Sequence, residues 1–199
     1  MNKEFSPQFT NDSDLVFASY FAKKEADRWR ISSRNILKDQ ILNREAYVLL
    51  IFSSELYLKS LLMILGVNVM EKFKNKDGHN LYKLFKALPD KSLKKEISEK
   101  VIFHSKQLKI NRKELNTFDD FLKEISNGFI NYRYEYETFL KNKVLVIPME
   151  FITNFNFILY LVFENIKYEA IDDLGNVSNI KEPEFICNYI NKKSKSTLE

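Results

Sequence analysis

Apolar residues along this chain recur at helical spacings of three and four and rarely alternate with period two. The segment Glu45 to Gly66, EAYVLLIFSSELYLKSLLMILG, is apolar nearly all the way round when wound as a helix. That is the pattern of a helix covered on every side. It predicts a central helix roughly 30 Å long, stopped by Gly66. Within it Glu55 and Lys59 stand one turn apart on one face, in the favourable order of acid before base. An ion pair inside so apolar a helix is expensive to desolvate and marks a polar site better than it marks stability.

The remaining elements follow in order. Asp12 or Ser13 caps a first helix through about Ile31, with Leu15, Ala18, Ala22, Ala26 and Trp29 as its apolar stripe and Ser32–Ser33 as its punctuation. A second helical stretch from Arg34 leads toward the central helix. After a polar connection over 67–78, Asp77 or Asn80 caps a helix that turns Leu81, Leu84, Phe85 and Leu88 inward and ends at Pro89. Asp90 or Ser92 restarts the chain, and Leu93, Ile97, Val101, His104 and Leu108 share one face. The helix from Phe118 to about Lys141 has the cleanest periodicity: Phe118, Phe121, Leu122, Ile125, Phe129, Tyr132, Tyr136 and Phe139, with Arg133 at the border. Pro148 opens a last strong helix, Met149 to about Ala170. Beyond it DDLGN reads as a turn, FICNYI as a short docked helix and NKKSKSTLE as a disordered basic tail. The domain reading is a helical bundle over 12–170 and an extension over 171–199.

Composition sharpens this. Four Gly and four Pro in 199 residues suit an all-α protein, and one cysteine excludes an internal disulfide framework and a Cys-rich zinc site. The N-terminal MNKEFSPQFTNDSD lacks the apolar core of a signal peptide, and the long apolar runs are interrupted by Glu55 and Lys59 or by Asn154 and Asn156. The expectation is a cytoplasmic protein with no membrane span. The net charge of +4 is unevenly spread: Glu71 to Lys113 holds thirteen Lys/Arg against five Asp/Glu. Lys94, Lys95, Lys109 and Arg112 are the candidate nucleic-acid contacts in that stretch. A solvated lysine-rich face is the plainer explanation of the same residues.

No phosphate loop, GxSxG, HExxH or paired metal-ligand spacing occurs, so neither a metal nor a cofactor is expected. What remains is a set of polar residues in core-like sequence: Glu55, Lys59, His79, Asn80, Arg133, Tyr134, Tyr136 and Glu137. Neighbouring helices of a bundle could gather these into one crevice. Arg133 would supply a planar charged fork for phosphate, Lys59 a point charge and the tyrosines stacking surfaces. Read structurally instead, Glu55–Lys59 and Arg133–Glu137 are ion pairs, and His104 is a hydrogen-bonded core residue.

Three blocks, ELYLKSLLMILG at 55–66, GHNLYKLFKALP at 78–89 and FINYRYEYE at 129–137, resemble the signatures of the HEPN superfamily, closest to a bacterial branch of ELxLKxLL, GHxLxxLF and RYxYE type. The resemblance implies an up-and-down bundle of four or five helices, commonly a homodimer. It also implies a nucleic-acid or nucleotide-linked role in toxin–antitoxin or antiphage systems, beside an antitoxin or a nucleotidyltransferase-like partner. Catalytic HEPN ribonucleases carry Arg, then four to six residues, then His on one helix. Here Arg133 is followed at those distances by Thr138, Phe139 and Leu140. The expected function is therefore a module binding RNA, a nucleotide or a partner protein. The alternative is a metal-independent endoribonuclease pairing Arg133 with His79 or His104. A structural or interaction protein is the third reading.

Overall fold

The structure, a computed structural model, describes residues 12–37, 43–73, 76–107, 118–133, 149–164, 169–171 and 177–179. The chain divides into two compact units, 1–161 and 162–199. The described elements of the first are helices: α1 (Ser13–Ile36), α2 (Asn43–Ile64), the short α3 (Val69–Lys72), a 3-10 turn (Lys76–His79), α4 (Leu81–Ala87), α5 (Lys91–Gln107), α6 (Phe118–Arg133) and α7 (Met149–Glu164, its last turn in the second unit).

The bundle is organised about α2. Tyr47, Leu50, Ile51, Tyr57, Leu58, Leu61 and Leu62 point in several directions around the helix and are all buried. By length and composition the segment Glu45–Ile64 could cross a bilayer, but most of it is covered within the bundle. Gly66 ends the helix with φ 80°, a conformation that strains any residue with a Cβ. Its N–H donates to the Met63 carbonyl and the Val67 N–H to that of Leu62, both at 2.9 Å, which closes the last turn as a Schellman motif.

Helix α1 packs along α2 by a face that shares Ala26 with the apolar stripe read in the sequence but is turned from it toward Ser19, Arg30 and Ser33. Asp12 caps it as expected, its carboxylate accepting from the amides of Asp14 and Leu15. The helix then runs through Ser32 and Ser33 to Ile36, because the Ser33 hydroxyl donates back to the Arg30 carbonyl and leaves the helical ladder intact. Trp29 is 40% exposed, whereas Ser19, Tyr20, Ala26, Arg30 and Ser33 are buried. Small hydroxyls occupy the seam: Ser19 donates to the Ser60 carbonyl at 2.9 Å, and Ser60 donates to the Ser19 carbonyl at 2.7 Å. Ser53 donates to the Ala26 carbonyl at 2.7 Å. Further along, the Tyr57 hydroxyl donates to Asp27, which also pairs with Lys23.

The other flank of the core is aromatic. Phe85 of α4, Phe118 and Phe121 of α6, and Phe151 and Phe155 of α7 form a connected cluster, with Phe121 and Phe151 stacked at 4.4 Å. Asn156 interrupts the apolar face of α7 and is buried, but its amide donates to the Ser53 and Ser54 hydroxyls at 2.9 and 3.0 Å. A buried amide so satisfied fixes the register of α7 on α2. On α5, Leu93, Ile97 and Val101 face inward as read; His104 is only partly covered, with Phe103 beside it exposed. Leu108 and the continuation of α6 toward Lys141 lie outside the described residues.

In the second unit α7 stops at Glu164, so the helix read through Ala170 is shorter than expected. Glu169–Ile171 (β1) instead pairs antiparallel with Val177–Asn179 (β2), Ala170 opposite Ser178. The β-branched Ile171 and Val177 on either side of the DDLGN segment favour this hairpin. The FICNYI helix and the basic tail fall outside the described residues.

Candidate functional site

The polar site forms where α2 meets the entry to α4. Glu55 lies in the middle of α2, and its side chain is 6% exposed. One turn on, Lys59 reaches back to it at 2.5 Å, as the acid-before-base order predicts. The 3-10 turn Lys76–His79 then delivers His79 to the same carboxylate oxygen, with Nδ1 at 3.0 Å. Glu55 thus holds an ammonium and an imidazole on one oxygen, at the edge of a largely apolar core. The three differ in access: the Lys59 side chain is 21% exposed and that of His79 64%.

Asn80 follows His79 and caps α4, its carbonyl oxygen accepting from the Lys83 amide at 2.9 Å. A second cap comes from another helix. Ser126 of α6 accepts the Tyr82 amide at 2.9 Å while donating to its own Leu122 carbonyl. Two of the orphan donors of α4 are thereby satisfied, which fixes the turn carrying His79. Among the residues read as ligand contacts, Asn80 thus has a structural duty through its oxygen.

Beyond Ser126 the exposed side of α4 carries Tyr82, Lys83 and Lys86. The Lys86 ammonium stands 5.5 Å from the centre of the Tyr82 ring, and that of Lys123 from α6 stands 5.2 Å from it. Lys86 also pairs with Asp119 at 2.6 Å, and that hydrogen bond holds its ammonium above the usual lysine range. Neither Tyr82, Lys123 nor Ser126 is marked by the sequence patterns. The signal available was the spacing Tyr82, Lys86, which puts a phenol and an ammonium one turn apart on a short helix.

The basic face is more neutral than its composition. Lys95 lies 3.8 Å from Glu99, Lys100 pairs with Glu96, and Lys94 donates to the Lys86 carbonyl at 3.3 Å. Lys109 and Arg112 are outside the described residues. So are Tyr134, Tyr136 and Glu137. Arg133 is the last described residue of α6, and its side chain is not among those described. The structure therefore joins Glu55, Lys59 and His79, while the expected Arg133 member falls outside the description. His104 sits on α5 beside Phe103, with ring centres 5.6 Å apart. Among the described residues no three His, Cys, Asp or Glu side chains converge as a metal set would.

No protein-family model matches the chain, and neither a curated protein nor a solved structure shows significant similarity to it.

Proposed function

We propose that this chain is a HEPN-like helical module, of the up-and-down four- or five-helix type, that binds RNA at the α2–α4 edge in a toxin–antitoxin or antiphage setting. The observation that carries the reading is the Glu55 carboxylate holding Lys59 and His79 together. A carboxylate that is nearly buried orients both groups, so neither has to be ordered when a ligand arrives. With Nδ1 engaged by Glu55, Nε2 is the ring nitrogen that a phosphate or ribose hydroxyl meets. Lys59 adds charge beside it. The exposed lysines of α5 contribute long-range attraction, because surface pairs such as Lys95–Glu99 are weak and yield to phosphate.

The test is binding of a labelled single-stranded RNA followed across a salt series. The reading expects affinity at low salt that falls steeply as salt rises, and that is weakened by His79→Ala and by joint reversal of Lys94 and Lys95 to Glu. Absence of RNA affinity at low salt overturns it.

A metal-independent ribonuclease is the second reading, favoured specifically by the Glu55–His79 contact. A carboxylate on one ring nitrogen orients the imidazole and leaves the other nitrogen facing outward for acid–base work. Incubating RNA with the protein in chelator separates the two readings. Cleavage lost in both His79→Ala and Arg133→Ala supports the enzyme, and intact RNA in a stable complex supports the binding module.

A further inference from the structure

Tyr82 is half-buried, with the Lys86 ammonium of its own helix α4 and the Lys123 ammonium of α6 near its ring. Its backbone is pinned by Ser126, so the ring projects from an anchored turn. Both lysines reach solvent, Lys86 being 47% and Lys123 53% exposed. Each has an acidic neighbour on α6, Asp119 for Lys86 and Asp120 for Lys123. These exposed pairs are cheap to exchange, since screened surface ion pairs contribute little. A phosphate can take over a lysine from its carboxylate. The ammonium that leaves the ring for that phosphate uncovers an aromatic face.

From this geometry we infer that Tyr82 is a base-stacking platform for single-stranded RNA, with Lys86 and Lys123 as its phosphate contacts. The inference rests on the RNA-binding reading above and gives that site its substrate class. An aromatic ring flanked by exposed cations accepts any base, because every base has a π-face, and such stacking is sequence-tolerant. Duplex RNA keeps its bases within the helix and offers nothing to stack on Tyr82. His79 lies three residues before Tyr82 and Lys86 four residues after it, so a strand crossing Tyr82 runs along α4 from the Glu55–His79 edge toward Lys86.

The experiment uses the full chain and a short labelled oligouridylate, with the matching duplex as competitor. Tyr82→Leu should weaken single-strand binding about tenfold, and Tyr82→Phe should retain it. Lys86→Gln and Lys123→Gln, both at exposed positions, should each lower the slope of log affinity against log salt by about 0.7. Tyr82→Trp should lose indole emission when the oligonucleotide binds. If the wild type binds RNA and Tyr82→Leu, Lys86→Gln and Lys123→Gln all bind like it with unchanged slopes, the platform is overturned while the RNA-binding reading stands. If the wild type binds no RNA even at low salt, both fall together. Duplex binding as tight as single-strand binding also overturns the platform.

Discussion

The Nδ1 atom of His79 lies 3.0 Å from the Glu55 carboxylate, although the two residues are 24 apart in the chain. The same oxygen receives Lys59 from one turn along α2. Because the Glu55 side chain is nearly buried, each partner matters more to the carboxylate than a surface ion would. Lys59→Met should therefore lower stability by about 2 kcal/mol, less than a fully buried pair loses because Lys59 already touches solvent. Glu55→Met together with Lys59→Met removes the uncompensated charge and should recover most of that loss. Urea unfolding of the two single variants and the double variant measures the coupling. Additive effects would mean that water, rather than Lys59, compensates the carboxylate.

Asn80→Ala and Ser126→Ala should each cost about 1 kcal/mol, because each removes the acceptor of one N-terminal amide of α4. The two act on different amides, Lys83 and Tyr82. Hydrogen exchange should therefore accelerate mainly at Lys83 in the first variant and mainly at Tyr82 in the second. Uniform acceleration through α4 in both would instead indicate that the helix opens as a unit.

Those two caps also mark the boundary of what the amino-acid sequence makes legible. Asn80 is readable because a helix cap is local: the acceptor lies three residues before its donor. Ser126 is not, since the amide it caps belongs to a helix 44 residues earlier. The same division runs through the fold. α2 is evident because apolar residues surround it, and Glu55–Lys59 because one helical turn separates them. The buried face of α1 is legible only in part: Ala26 lies on the apolar stripe, but Ser19 and Ser33 escape it, because serine in a helix is as common on a surface as in a tight seam. The β1–β2 hairpin escapes because three-residue strands carry too few positions for a period to emerge. His79 was nameable from its motif, but its carboxylate partner depends on the packing of α4 against α2.

Tyr57 gives a prediction at alkaline pH. Burial, with its hydrogen bond to Asp27 and that carboxylate's charge, pushes the hydroxyl far above its ordinary value of 10.0. The folded protein keeps this proton where the unfolded chain releases it. Stability from this group is thus present below about pH 10 and declines as pH rises beyond it toward the folded value. Tyr57→Phe should lower stability at neutral pH by about 1 kcal/mol through the lost donor to Asp27. It should also flatten the alkaline decline by up to about 1.4 kcal/mol per pH unit. The two chains share the other nine of the ten tyrosines, so the difference between their unfolding curves isolates Tyr57. Parallel curves above pH 10 would show that this hydroxyl ionises in the folded state as well.

The serine seam between α1 and α2 makes the opposite demand from an ordinary core. Ser19 and Ser60 are both fully buried, and each hydroxyl donates to the other's carbonyl. Small side chains there let the two backbones approach, so added apolar volume should harm the fold rather than help it. Ser60→Ala removes one donor and no bulk, and should cost about 1 kcal/mol. Ser60→Leu adds atoms where the helices nearly touch and should cost about 3 kcal/mol through overpacking, despite its greater hydrophobicity. For a chain of this size each kcal/mol lowers Tm by roughly 2–4 °C, so thermal melts resolve the two variants. A leucine variant as stable as the alanine one would mean that α1 can move off α2 without loss. The seam would then be a tolerant contact, and the placement of Asp27 beside Tyr57 would depend on residues elsewhere along α1.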